Sequence, residues 1–287
     1  EIRLLSPHPD PLPWGEGTTI CPRRLLGLPP CESSDLFRQC AGTISPAPWG
    51  AGRGEGTQEH VPFAWNAHIP PGPGHRVFTE DRVAAILTAA HLPVAPGHRA
   101  RSETEAVAFA TEVDFPVAMK ALSPAITHRA AAGFVALDLR TADDVARTWR
   151  MFTARAAELR VELDGVWVQH MAGGNRELLV TALRDAQFGV IVGCGIGGGM
   201  TEVVDDVAFA RAPVDAGGAL DLLGELRTLR QHPGFLTATQ RRLAADFIAR
   251  FSTLAADAPW DHFTLEVNPL KLDETTAAAV DGLLILD

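Results

Sequence analysis

Two stretches of this chain carry groups able to handle a phosphorylated ligand. The first is FPVAMKALSPAITHRAAAGFV at 115–135. Val117, Met119 and Ala121 alternate, which predicts a strand with Lys120 on its other side. A loop of small residues carrying His128 and Arg129 follows, and a second strand opens near Phe134. A lysine beside such a loop suits polyphosphate, because the ammonium meets the charge while backbone N–H groups approach the oxygens. A lysine stem lying along the surface is the ordinary alternative. The second stretch is TLEVNPLKL at 264–272. Alternation sets Leu265 and Val267 on one side of a strand and Glu266 with Asn268 on the other. Pro269 should end regular pairing, and Asp281 follows on what reads as the partner strand of a hairpin. Carboxylate and amide oxygens on neighbouring strands suit Mg²⁺, a hard cation that fills its remaining positions from water and phosphate. A polar hairpin end is the alternative.

The segments around these stretches read as an alternation of helices and strands. Thr79 is placed to cap a helix with Glu80 and Asp81 in its first turn and Val83, Ile86, Leu87 and Ala90 at helical spacing, ending by Pro93. Ser102 with Glu105 forms a capping-box pattern before Val107 and Ala110. Thr141 with Asp144 opens a helix bearing Val145, Trp149 and Phe152. GVWVQHM at 165–171 is a strand with Val166, Val168 and His170 on one side and Trp167, Gln169 and Met171 on the other. The runs 177–183 and 188–194, apolar on either side of RDAQ, predict a hairpin. GCGIGGG at 193–199 contains a G-x-G-x-x-G match at Gly193, Gly195 and Gly198. The residues after it neither open a helix nor supply a ribose-binding acid about 20 positions on, so a Rossmann unit is excluded. Ala219–Leu229 reads as a short helix, and Thr239–Ala256 as a longer one with Leu243, Phe247, Ile248, Phe251 and Leu254 on one face.

Composition bounds the partners. A net charge of −10 over 287 residues argues against a broad electrostatic grip on nucleic acid or an anionic membrane. No apolar run approaches the ~20 residues of a membrane span and no leader pattern opens the chain, so the expected location is cytoplasmic. Cys21, Cys31, Cys40 and Cys194 show no C-x-x-C or zinc spacing, which predicts reduced thiols. The chain opens on Glu1 rather than Met, as a fragment or processed product would. Residues 1–75 hold 13 of the 21 prolines and 10 of the 26 glycines, together with a loose repeat of SPHPDPLPWGEGTT as SPAPWGAGRGEGTQ. That composition predicts a disordered segment ahead of the folded part.

Lys120, GVWVQHM, RELLVTALRD, FGVIVGCGIGGG, TLEVNPLKL and AVDG at 279–282 occur in an order that resembles the ATP-grasp domain of ADP-forming acyl-CoA synthetases, the acetate–CoA and succinyl–CoA ligase relatives, which is also found fused to protein acetyltransferases. The resemblance covers about residues 76–287. It implies an α/β (α+β) fold of two lobes, 76–160 and 161–287, each an antiparallel-rich sheet with helices, and ATP and Mg²⁺ as cofactors held in a cleft. It implies that Lys120 binds phosphate and that the backbone of Val168, Gln169, His170 and Met171 pairs with the adenine edge. Glu177 would lie near the sugar or phosphates. Gly197 and Gly198, followed by Glu202, would form the family's turn close to the phosphates, and Arg184 with Asp185 its RD pair. Asn268 and Asp281 would hold Mg²⁺, with Glu266 as a further ligand or orienting a phosphohistidine. His128 would be the histidine that carries phosphate between ATP and an acyl phosphate. The family's HKSD-x-GG reads here His128-Arg129-Ala130-Ala131-Ala132-Gly133-Phe134. The loop therefore lacks the serine, the aspartate and one glycine. The CoA-binding and ligase domains are absent from these residues, so a CoA-binding partner subunit or fused domain is implied. A non-catalytic, regulatory nucleotide-binding module of a protein acetyltransferase is the alternative. A carboxylate–amine ligase would need an acceptor site that the sequence does not display.

Overall fold

The computed structural model of the protein describes residues 3–4, 60–123, 126, 132–198 and 205–287. In chain order the elements are β1 (Arg3–Leu4), α1 (Trp65–His68), β2 (Arg76–Phe78), α2 (Glu80–Ala89), β3 (Gly97–Ala100), α3 (Glu103–Glu112), β4 (Val117–Leu122), β5 (Val135–Leu139), α4 (Ala142–Leu159) and β6 (Gly165–His170). There follow β7 (Arg176–Asp185), β8 (Gly189–Ile196), β9 (Val207–Arg211), α5 (Ala216–Gly224), α6 (Arg227–Gln231), α7 (Ala238–Ala256), β10 (Phe263–Leu272), β11 (Ala277–Ala279) and β12 (Gly282–Leu286). They form two compact units: 94–173 with β1 in one, 60–93 and 174–287 in the other. Every strand pairing among the described residues is antiparallel.

The first unit is a five-stranded sheet in the order β1-β5-β4-β6-β3. Val117, Met119 and Ala121 of β4, Val166 and Val168 of β6 and Ala136 and Leu139 of β5 join Ala106 and Ala110 of α3 and Val145 and Phe152 of α4 in one core. The helices start where side-chain caps replace missing backbone partners. Ser102 accepts from the Glu105 amide, and Thr141 accepts from the Asp144 amide. Glu105 reaches back to the Arg101 amide at 2.7 Å rather than closing on Ser102.

The second unit is a seven-stranded sheet, β2-β12-β10-β7-β8-β9, with β11 added to β10. Helix α7, opened by a full capping box between Thr237 and Gln240, packs its buried Phe247, Ile248, Phe251 and Leu254 toward β7, β8 and β10. The single helix expected over Ala219–Leu229 is two, α5 and α6, broken at Glu225 and Leu226. Buried Asp206 accepts from the amides of Arg227 and Thr228 and so starts a new helix there.

Two boundaries differ from the sequence reading. The division drawn at 160/161 falls instead after Gly173, because β6 lies between β4 and β3 and cannot leave their sheet. Residues 76–93 join the second unit, since β2 pairs with β12. The Pro/Gly-rich composition also hides a structured stretch upstream of 75. Trp65 in α1 is 2% exposed and donates its indole N–H to the Leu254 carbonyl at 3.2 Å.

Candidate functional site

In the first unit, β4 carries Lys120 opposite Trp167 of β6 and Val135 of β5. The core residues of both strands face the helices, so Lys120, Trp167, Ala118 and Gln169 share the other face. Lys120 is 9% exposed, which excludes a stem lying along open surface. Gly97 of β3 is shaped by this face: a Cβ there would enter the Trp167 ring. Val168 is part of the core, and Gln169 is buried.

The backbone of this strand corrects one expectation. The amide of His170 donates to the Pro96 carbonyl at 2.8 Å and that of Met171 to the Pro116 carbonyl at 3.0 Å. With a neighbour on each side, β6 spends these N–H groups inside its own sheet. They are not spare donors for an adenine edge. The His170 ring lies 3.2 Å from the Asp114 carbonyl, and the Met171 sulfur accepts from the Asp138 amide. His128, Arg129 and Glu202 lie outside the described residues.

The second unit brings together most of what the sequence singled out. Glu177 at the start of β7 stands opposite Lys271 of β10, and the Lys271 Nζ is 3.5 Å from the Glu177 Oε1. Gly198 has φ +68°, and any Cβ there would fall on the other carboxylate oxygen of Glu177. The left-handed backbone favours glycine there, and a side chain would displace the Glu177 carboxylate. The Gly197 amide donates to the Glu177 carbonyl at 2.9 Å, and the Gly198 amide donates to the Asn268 Oδ1 at 2.8 Å. Lys271, which sequence reasoning passed over, becomes visible only once the β7–β10 register is known.

Pro269 does not end β10. The Asn268–Pro269 bond is cis, the register with β7 shifts between Val267 and Leu270, and pairing then resumes. A bulge absorbs the missing N–H. Asp281 lies in the link between β11 and β12, where its carbonyl accepts from the Asn268 amide at 3.2 Å. Glu266, half-buried, sits between Thr181 of β7 and Leu283 of β12. Burial first, and the Asp281 charge second, push its carboxyl up to about 7. Two carboxyl groups beside an amide oxygen form a hard-oxygen donor set that suits a divalent cation. No group of three or more His, Cys, Asp or Glu able to cage a metal occurs among the described residues.

The RD pair is structural. Asp185 accepts from the amides of Gln187 and Phe188 in the β7–β8 turn. Arg184 donates to the carbonyls of Ala258 and Trp260, both at 2.7 Å. No described helix is long and apolar enough to cross a membrane.

Two antiparallel-rich sheets, a buried strand lysine and a hard-oxygen cluster beside a Gly-Gly turn are what the sequence resemblance implies, and residues 72–286 match the ATP-grasp domain family. The chain belongs to that family. Its relatives are ligases. The beta subunit of the ADP-forming acetate–CoA ligase I of Pyrococcus furiosus is 32% identical over 175 residues, 58% of this chain and 74% of that subunit. The ADP-forming acetate–CoA ligase I of Archaeoglobus fulgidus is 31% identical over 171 residues, 58% of this chain but 25% of that protein. The chain thus spans about three quarters of one relative and a quarter of the other. Among solved structures, acetyl-coenzyme A synthetase 1 of Ca. Korarchaeum cryptofilum, in complex with coenzyme A and Ca-AMPCP, superposes with a TM-score of 0.67 at 27% identity, covering 74% of this chain and 94% of that one. The same enzyme with a phosphorylated phosphohistidine segment gives 0.66 at 27% identity over the same shares. The chain is the counterpart of a ligase subunit or domain of this ADP-forming kind.

Proposed function

We propose that this chain is the nucleotide-handling part of an ADP-forming acyl-CoA ligase, most simply an acetate–CoA ligase, and that it exchanges phosphate between ATP and an acyl phosphate. The observation that carries the reading is the meeting of Glu177, Gly197, Gly198, Glu266, Asn268 and Asp281 around the β7–β10 pair. An ionised carboxylate can only accept hydrogen bonds, so Glu177 suits a ribose hydroxyl better than a phosphate oxygen. The buried ammonium of Lys120 suits the phosphates. Asn268 and Asp281, with Glu266 beside them, would hold Mg²⁺. Bound there, the ion would neutralise phosphate charge, which together with positioning is most of what phosphoryl transfer asks of a protein. With the amides of His170 and Met171 spent, base recognition near Val168–Met171 falls to carbonyl groups of that segment.

His128 completes the reading. A neutral imidazole nitrogen attacks the γ-phosphorus, the new N–P bond forms as the bond to the bridging oxygen breaks, and ADP leaves with the electron pair. A carboxylate oxygen of the acyl substrate, held by a CoA-binding partner subunit or fused domain, then attacks that phosphorus, so that an acyl phosphate forms as the N–P bond breaks and the neutral imidazole is returned. The reverse steps carry the phosphoryl group from the acyl phosphate to ADP. Arg129 keeps a positive charge in a loop where alanines stand for the polar residues of the resembling family. That alanine-rich loop is the one feature pointing to a regulatory, non-catalytic module of a protein acetyltransferase. The ligase identity of the relatives favours the enzyme.

Incubation with γ-labelled ATP and Mg²⁺ tests the choice. Acid-labile, base-stable label that disappears in His128→Ala is the expected outcome. Tight ATP binding without label would leave only the module, and no binding of ATP at all would end both readings.

A further inference from the structure

The chain has 25 basic residues apart from histidine, and only two of them are lysines, Lys120 and Lys271. The first already has a role in the proposed site. The second lies on β10, three residues beyond Asn268, on the strand that carries the oxygen donors. Cross-strand register sets it directly opposite Glu177, with Ala278 of β11 on its other flank. Side chains directly opposite in an antiparallel pair share a face and interact most strongly. Both are partly sheltered, with Lys271 23% and Glu177 34% exposed as side chains.

Glu177 is confined from two directions. Lys271 approaches one carboxylate oxygen at 3.5 Å, and the other lies where a side chain at Gly198 would begin. Gly198 is tied in turn to Asn268 through its amide. Lys271, Glu177, Gly198 and Asn268 thus form one continuous line of contacts. The charge balance points the same way. Glu177, Glu266 and Asp281 bring three carboxyl groups to a place where a polyanion is to bind. An ammonium group set against Glu177 offsets carboxylate charge where the polyanion is to lie.

We propose that Lys271 is a positioning residue for the nucleotide site, acting through Glu177: it pins that carboxylate against the Gly198 turn and offsets its charge. The idea rests on the proposed role of Glu177, and the test separates the two. Binding of Mg·ATP to the whole chain is measured by calorimetry for the wild type, Lys271→Met, Lys271→Arg, Glu177→Gln and the Lys271→Met/Glu177→Gln double variant. Lys271→Met is expected to weaken binding about tenfold without shifting the thermal midpoint, and Lys271→Arg to restore most of it. In the Glu177→Gln background, Lys271→Met is expected to cost nothing further, the signature of two residues acting as one unit. A full additional loss in that background would overturn the proposal, because Lys271 would then touch the nucleotide itself. Unchanged affinity in Lys271→Met would also overturn it. Unchanged affinity in Glu177→Gln would instead remove the role given to Glu177, and a wild type that fails to bind ATP would remove the reading beneath both.

The two-lysine composition supplies a second readout. Protein labelled with ¹³C at the lysine ε-carbon should give two side-chain signals, and Glu177→Gln should move the Lys271 signal while leaving that of Lys120 in place. A Lys271 signal indifferent to Glu177→Gln would mean that the pair does not exist in solution.

Discussion

Asp206 combines the two demands that a buried carboxylate must satisfy. Burial works against its ionisation, but the hydrogen bonds from Thr228 and Arg227 and the Arg227 charge outweigh it, so its carboxyl is held below the ordinary range. A depressed native value means stability that is present above the unfolded-state value, near 3.9, and that is lost as the pH falls through the lower native one. Asp206→Asn should therefore cost about 1–3 kcal/mol at pH 7, and the gap to wild type in urea unfolding should narrow by pH 3. A gap that persists undiminished at pH 3 would assign the loss to packing. Cys194, fully buried nearby, has its thiol pushed far up by burial and by the Asp206 charge. Thiolate is the reacting form, so native Cys194 should resist iodoacetamide at pH 8 and react only on unfolding. Mass spectrometry of the alkylated peptide reads this directly.

At the scale of elements, glycines hold places open for the working side chains. Gly198→Ala would force a left-handed backbone on a residue that resists it and would drive its Cβ into the Glu177 carboxylate. Nucleotide affinity should fall at least as far as in Glu177→Gln, with the first unit's stability unaffected. Gly97→Ala would push Trp167 off β3 and cost about 1–3 kcal/mol by overpacking, which differential unfolding monitored by tryptophan fluorescence would detect. The same contrast explains what the sequence could disclose. Alternation at Val117, Met119 and Ala121 is readable because these residues enter the hydrophobic core while Lys120 between them does not, and at Leu265 and Val267 because they are more fully buried than Glu266 and Asn268. It placed Lys120, Glu266 and Asn268 on the correct faces. Cross-strand register was not readable, since it depends on a partner some 90 residues away, and so the Lys271–Glu177 pair stayed hidden. Nor could periodicity tell that β6 has neighbours on both sides. It therefore gives no sign that the amides of His170 and Met171 are engaged by the carbonyls of Pro96 and Pro116. The bulge at Asn268–Pro269 escaped for a related reason: proline announces a lost donor, but not whether the ladder resumes beyond it.

At the scale of the whole molecule, the second unit is assembled from chain on both sides of the first, and its upstream part extends beyond the family match. Residues 60–71 precede the matched range of 72–286, yet they are anchored on the end of α7. Asp257 accepts from the Phe63 amide at 2.9 Å and meets the His60 ring at 2.8 Å. Trp65 lies edge-on to Trp260 and to Phe63, with ring centroids 5.0 and 5.1 Å away. A proline-rich composition conceals such a strap because a few separate anchors, among them the buried Trp65 and Ile69, hold it down rather than any repeating pattern. Trp65→Ala should then cost about 3–5 kcal/mol, the usual loss for a large aromatic removed from a core. Against a chain beginning at residue 60, one beginning at residue 72 should lose most of what Trp65→Ala loses. If the two chains unfolded at the same urea midpoint, the second unit would owe nothing to the strap, and the family boundary at 72 would also be the physical one.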